Sequence, residues 1–270
     1  MMMTKMTKQT KICFIGSGNL ATQLSLALYD AGYTILQVFS RTESNAIELA
    51  EKLNCNYTTN ATAITTMADL YICALKDSVI TEVLDQAYNI IKNKVIVHTA
   101  GSISIDILSK YSINRGVLYP MQTFTKAKKV DFSKVPFLLE GSNAEVSDLL
   151  MNVSSSISSK LFKVNSEDRK KIHLAAVFAC NFANHAYALG GELAKAAGVP
   201  FEVLLPLIEE TAEKVHSIDP IKAQSGPAVR YDKNVISMHE EMLKENPRML
   251  DIYKIMTESI HELDLKSKNV

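Results

Sequence analysis

Lys11-Ile12-Cys13-Phe14-Ile15 is an apolar run of strand character, and it passes directly into Gly16-Ser17-Gly18-Asn19-Leu20-Ala21. Leu20, Leu24, Ala27, Leu28 and Ala31 then recur at helical spacing until Gly32 stops the pattern. Strand, glycine-spaced turn and helix, in that order, let a chain hold a pyrophosphate against its own backbone. Gly16 permits the sharp turn, Gly18 leaves room for the anion, and Ala21 is small where helix and strand pack closely. The first N–H groups of the helix and its positive dipole end face the same point. A bare glycine pattern also fits an ordinary tight turn, but the flanking strand and helix favour a dinucleotide site. The residues expected there are Gly16, Ser17, Gly18, Asn19 and Leu20.

The next strand-like run, Tyr33 to Phe39, selects the dinucleotide. A site for NAD wants an acidic residue about 20 residues past the first glycine, to bind the ribose hydroxyls. Ser40-Arg41-Thr42 stands there instead and offers a guanidinium and two hydroxyls to a 2′-phosphate, so the expected cofactor is NADP.

Strand and helix patterns go on alternating through Asp69 to Ala74, a helix from Asp77 to Tyr88, and Lys94 to His98. Apolar runs at 116–121, 135–140 and 160–164 extend the sheet. After Asn165 the pattern turns wholly helical, first as one helix to about Ala197 and then as helices near 201–217, 232–244 and 247–263. The expected fold is therefore α/β: a doubly wound Rossmann sheet over 11–165, followed by an all-helical domain over 166–264. With 270 residues, 47% of them hydrophobic, the chain can fill a core in each.

Lys plus Arg and Asp plus Glu number 29 each, without a basic run, which excludes an electrostatic footprint for nucleic acid and favours a small-molecule substrate. Cys13, Cys55, Cys73 and Cys180 are scattered without metal-ligand spacing and are expected as reduced thiols, with no metal site. Met1 to Thr10 carries no apolar block and is expected as a loose leader rather than a secretory signal. No apolar stretch reaches the roughly 18 residues of a membrane span, so a cytoplasmic protein is expected.

In an open parallel sheet, ligands lie beyond the carboxyl ends of the strands. Leu75, Lys76, Thr99, Ala100 and Gly101 are accordingly further candidates for the cofactor. His98 closes its strand and is either a proton-handling group or a structural histidine bonded to backbone. On the long helix, His173 and Asn184 fall within roughly 20° of each other around the axis, and Asn181 lies one turn before His185. His173 and Asn181 either look into the cleft between the domains or satisfy one another at a helix interface. Arg230, near a Gly-Pro turn, is left open, and Asp232 reads as a helix cap.

The glycine turn, Ser40-Arg41-Thr42 and His98-Thr99-Ala100-Gly101-Ser102 resemble the nucleotide domain of deazaflavin-dependent NADP oxidoreductases and pyrroline-5-carboxylate reductases. His173 to Asn181 and Gly226 to Asp232 resemble the helical domain of unknown function 2520 that follows such a domain in a family of NADP oxidoreductases. The resemblance implies NADP, a Rossmann domain and a helical domain of the kind that dimerises. It departs in three places: no Asn follows Lys170 or Lys171 at the spacing of the wider superfamily's acid-base lysine, Tyr119-Pro120 replaces a His-Pro, and the helical half lacks the Gly-Gly-Thr turn of pyrroline-5-carboxylate reductases, which argues against proline synthesis. The resulting expectation is a homodimeric NADP-dependent oxidoreductase acting on a small carbonyl or imine, with His98, His173 and Asn181 as catalytic candidates. The alternative from another class is a non-catalytic NADP(H)-binding redox sensor.

Overall fold

The computed structural model describes residues 10–268, so the leader expected from Met1 to Thr10 lies, but for its last residue, outside the described residues. The glycine turn joins β1 (Lys11–Ile15) to α1 (Asn19–Asp30). Ile12 to Ile15 are fully buried, as befits a parallel strand covered on both faces. The alternation continues through β2 (Thr34–Phe39), α2 (Glu43–Leu53), β3 (Asn56–Thr58), β4 (Leu70–Cys73), α3 (Ile80–Gln86), α4 (Tyr88–Ile91), β5 (Val95–His98) and β6 (Arg115–Pro120). β7 (Phe137–Gly141), α5 (Ala144–Ser155) and β8 (Leu161–Lys163) complete the sheet. Its order is β3-β2-β1-β4-β5-β6-β7-β8, parallel throughout except between β6 and β7. The order therefore reverses beside β1, which places the switch point at the carboxyl ends of β1 and β4.

Three features depart from the sequence reading. α5 had no counterpart in it, although Asn143 caps the helix by accepting from the Val146 N–H at 2.9 Å and Val146, Leu150 and Val153 pack into the core. Because β7 runs antiparallel to β6, residues 121–136 form a strap between them. The helix expected to run unbroken to Ala197 is α6 (Ser166–Ala176), a π-helical turn (Val177–Phe182) and α7 (Ala183–Ala196). A π turn advances by a smaller angle per residue than an α-helix, so the spacing that aligned His173 with Asn184 does not carry across it.

The chain divides into two compact units inside that turn, the first ending at Phe178 and the second beginning at Ala179. The second holds α7, α8 (Leu205–Lys214), α9 (Pro220–Ala223), α10 (Pro227–Arg230), α11 (Lys233–Leu243) and α12 (Pro247–Lys268). α12 packs against α9, α10 and α11. No helix among the described residues is long and apolar enough to cross a membrane. The four cysteines are free, and burial pushes the Cys13 and Cys73 thiols well above the ordinary range.

Candidate functional site

Gly16 sits at φ +126°, and a Cβ there would lie 2.3 Å from the Ala74 carbonyl oxygen, so only glycine can turn the chain so close to the end of β4. Gly18 has open space where a side chain would be, and as the N-cap of α1 it leaves the helix's first N–H groups without a side-chain partner. Ala21 is fully buried against the sheet. Ser17 is buried too, its Oγ donating to Ser40 Oγ at 2.7 Å, while Ser40 Oγ accepts from the Thr42 N–H at 3.2 Å. The first glycine turn and the end of β2 are thus one hydrogen-bonded unit. Arg41 and Thr42 stand exposed on it, and Arg41 makes no hydrogen bond or ion pair with any described residue.

The remaining cofactor candidates border the same switch point. Leu75 is half-buried and Lys76 exposed after β4, and Thr99, whose N–H donates to the Cys73 carbonyl, begins the loop after β5. Ser102 Oγ donates to Asp77 Oδ2 at 2.6 Å and ties the two loops together. The Asn19 side-chain amide donates to the Phe124 carbonyl at 3.0 Å, and its backbone N–H, at the start of α1, stays available to an anion. The open space over Gly18, the uncapped start of α1 and the lack of a carboxylate among Ser40, Arg41 and Thr42 fit a dinucleotide with a 2′-phosphate.

Next to these loops lies a pair that sequence spacing did not bring together. Tyr119, at the end of β6, places its Oη 3.1 Å from Nδ1 of His173 on α6, the rings meeting edge to face at 5.9 Å. When Nδ1 is unprotonated the phenol donates to it. Burial raises the Tyr119 phenol above its usual range, and the positive charge of Arg169 opposes that in part. Both rings close over Gly101, where a Cβ would meet His173 Nδ1 at 2.5 Å and Tyr119 Cζ at 2.9 Å. Gly101 therefore belongs to this pair as much as to the loop's cofactor face.

Arg169, one turn before His173, is fully buried. It pairs with Glu140 at the end of β7 and donates to the Ile103 carbonyl at 2.5 Å and to Ser166 Oγ at 3.1 Å. Ser166 Oγ also donates to Glu140 and accepts from the Ile105 N–H, so α6, β7 and the loop after Gly101 are locked together beneath the pair. Nothing in the local sequence around Glu140 or Arg169 announces this contact.

His98 has the geometry of the structural alternative. It is wholly buried, its Nδ1 accepts from the Ala100 N–H at 3.1 Å, and its Nε2, facing the Ser104 backbone, has no hydrogen bond of ordinary geometry among the described residues. Desolvation, assisted by Arg169, lowers its pKa to about 4 and keeps it neutral. Asn181 lies exposed in the π-helical turn and falls in the second unit, whereas His98 and His173 fall in the first. In the second unit Asp232 caps α11, accepting from the Val235 N–H at 3.3 Å, and Arg230 is exposed at the end of α10. Among the described residues no group of three or more His, Cys, Asp or Glu could hold a metal ion.

Residues 11–101 match the family model described as NADP oxidoreductase, coenzyme F420-dependent. Residues 135–260 match that of a domain of unknown function, DUF2520. Among solved structures, BF3122 from Bacteroides fragilis, assigned as an NADP oxidoreductase, is 48% identical, with 94% of this chain and 98% of that one covered and a TM-score of 0.89. TM1727 from Thermotoga maritima is 22% identical over 95% of this chain and 99% of its own, at a TM-score of 0.73. An imine reductase from Myxococcus stipitatus, solved with NADP+, is 16% identical over 93% of both chains, at 0.68. These two share the fold. No curated protein sequence matches the chain.

Proposed function

The chain belongs to the NADP oxidoreductase family, and from that premise we propose that it reduces a small carbonyl or imine compound with NADPH, using Tyr119 as proton donor and His173 as its partner. The observation that carries this reading is the 3.1 Å contact between Tyr119 Oη and His173 Nδ1 at the carboxyl edge of the sheet that also bears the glycine turn. NADPH, when bound, supplies the hydride. Gly16 and Gly18 admit its pyrophosphate, the first N–H groups of α1 hold the charge, and Arg41 with Thr42 takes the 2′-phosphate. A reduced carbonyl or imine must gain a proton. The phenol of Tyr119 is raised by burial, so at neutral pH it keeps its proton and serves as donor rather than base. In the tautomer that carries hydrogen on Nδ1, His173 donates to the phenol oxygen, which leaves the phenol's own hydrogen free for the substrate and stabilises the phenolate that remains.

The assembly we infer is a homodimer through the second unit. α7, α8, α9 and α10 bury no residue, and Leu207, Met242 and Ile255 are 66%, 72% and 66% exposed. A cavity of about 370 Å³ bordered by α7, α10, α11 and α12 is lined mainly by apolar side chains. A partner copy would cover such surface, and its symmetry would close the assembly. We place the protein in the cytoplasm, on the absence of cysteine pairing.

NADPH absorbance followed with oxo acids, cyclic imines and a deazaflavin tests the activity. Turnover of a carbonyl or imine that falls at least about a hundredfold in Tyr119→Phe supports the reading. Turnover unaffected by Tyr119→Phe refutes the assignment of the proton donor, and a lack of turnover with all three classes refutes the substrate class.

A further inference from the structure

The strap between β6 and β7 is fastened to two helices. On α1, Asn19 Nδ2 donates to the Phe124 carbonyl at 3.0 Å, Gln23 Nε2 donates to the Thr125 carbonyl at 2.9 Å, and Gln23 Oε1 accepts from the Val130 N–H at 3.2 Å. Phe124 stacks on Phe132 with ring centres 5.9 Å apart, which closes the strap upon itself. From this fixed backbone Lys126 reaches across to α2, where its Nζ donates to Asn45 Oδ1 at 3.0 Å and to Glu48 Oε2 at 3.2 Å. Asn45 lies in the first turn of α2, whose N-cap is Thr42 and which begins directly after Arg41. The strap therefore carries a cation to the start of α2, next to Arg41, whose guanidinium has no partner among the described residues, and to the turn whose acidic residue, Glu43, follows Ser40-Arg41-Thr42 rather than standing among them.

We propose that Lys126 is a second cationic ligand for the 2′-phosphate of NADP, and that Glu48 is the resting partner it exchanges for that phosphate. The proposal rests on the reading of Arg41 as the first such ligand. A phosphate monoester near neutral pH carries more than one negative charge, which a single guanidinium leaves incompletely compensated. Lys suits the second role because its ammonium is a compact charge on a flexible stem with three donors, free to change partner without losing a fixed fork geometry. Glu48 is equipped to release it: Lys52 Nζ holds the other carboxylate oxygen at 2.7 Å, so the carboxylate stays compensated after Lys126 leaves. Nor is the Lys126 contact needed to hold the strap, which Asn19, Gln23 and the phenylalanine stack already fasten.

The test is a titration of NADPH and NADH, by calorimetry or nucleotide fluorescence, into the unmodified protein and its Lys126→Met, Glu48→Gln and Arg41→Ala variants. Lys126→Met should weaken NADPH about fivefold to tenfold while leaving NADH in place, as loss of one partly screened charge-assisted contact predicts. Glu48→Gln should tighten NADPH by about twofold to threefold, because the competitor for the ammonium is gone. Lys126→Arg, which keeps the cation, should restore most of the affinity. Unchanged NADPH affinity in Lys126→Met, or an equal loss for both nucleotides, overturns the proposal, the second outcome marking a structural tether. If the unmodified protein prefers NADPH, and Arg41→Ala removes that preference but Lys126→Met does not, only the role of Lys126 falls. Equal affinity of the unmodified protein for the two nucleotides overturns the Arg41 reading and this one with it.

Discussion

Adding one methyl group at Gly101 should break the proposed proton-donating pair. The Cβ of Gly101→Ala would lie 2.5 Å from His173 Nδ1, 2.8 Å from His173 Cγ and 2.9 Å from Tyr119 Cζ. Unstrained contacts between such atoms need about 3.5 Å, so at least one ring must retreat by about 1 Å. α6 cannot slide to make room, because Arg169, one turn before His173, is fixed to Glu140, to Ser166 and to the Ile103 carbonyl. The rings must therefore rotate apart, and a bond that starts at 3.1 Å leaves little margin for that. Overpacking of this kind costs about 1–3 kcal/mol, and at about 2–4 °C per kcal/mol for a chain of this size the midpoint of thermal unfolding should fall by several degrees. Loss of the donor geometry should lower kcat by at least about a hundredfold. NADPH affinity should fall far less than kcat, because the pyrophosphate and 2′-phosphate contacts lie on other loops even though Gly101 borders the cofactor. Scanning fluorimetry, NADPH titration and turnover on the same preparation separate these effects. A Gly101→Ala protein with unchanged unfolding temperature and unchanged kcat would refute the reasoning, since it would show that the loop recedes freely and that the pair does not depend on it.

Arg41→Ala should remove most of the preference for NADPH over NADH, a loss of about 1.5–3 kcal/mol for a hydrogen bond to a charged group, read by titrating both nucleotides. Arg169→Leu should destabilise the protein by about 3–5 kcal/mol because it strands the Glu140 carboxylate, and Arg169→Leu combined with Glu140→Leu should recover part of the loss in denaturant unfolding. For His98 the folded pKa, about 4, lies below its ordinary value of 6.5, so between those values the unfolded chain binds more protons than the folded one. Stability from this group is complete above about pH 6.5 and falls as the pH drops toward 4, by at most about 1.4 kcal/mol per pH unit; unfolding midpoints of His98→Gln should lack that slope. Sedimentation at micromolar concentration should give a dimer, and a monomer would remove the proposed role of the second unit's apolar surface.

The parts of this molecule that were legible in the sequence are those whose cause is local. Gly16 and Gly18 betray themselves because the backbone conformation and the open space they supply are set by their immediate neighbours. The position of Arg41, directly after β2 and exposed, is local in the same way, while its proposed role at the 2′-phosphate awaits the titration. Tyr119 and His173 are a different case, 54 positions apart and joined only after β7, α5 and β8 have turned the chain back. Tyr119 is visible in the sequence only as a departure from the His-Pro of the family resemblance, which points away from it as a proton donor. The π-helical turn leaves no local mark either: Val177 to Phe182 contains no Gly or Pro to break the helix, and its wide hydrogen bonding defeats an angular argument that treats residues 166–197 as one α-helix. α5 was legible and was missed, for Asn143 as a cap followed by Val146, Leu149, Leu150 and Val153 is a helical signature.

The buried Arg169 is the residue whose presence most needs a reason. A buried ion pair is weak grounds for stability, because apolar side chains of similar volume often serve as well. An apolar replacement here would forfeit two things the pair supplies. One is the set of directional bonds to the Ile103 carbonyl and Ser166, which fix the loop following Gly101 against α6. The other is a positive charge that acts on Tyr119 and His98 from inside the protein, opposing the rise of the phenol's pKa and lowering that of the imidazole. The two effects have opposite chemical uses. A neutral His98 remains a rigid backbone-bonded wall, while a phenol whose pKa is not allowed to climb unchecked can still give up its proton to a substrate. With Tyr119 as the proposed proton donor, the same guanidinium serves both rings, and Arg169→Leu with Glu140→Leu should lower turnover even where stability is recovered, whereas unchanged turnover in that double variant would leave Arg169 a purely structural residue.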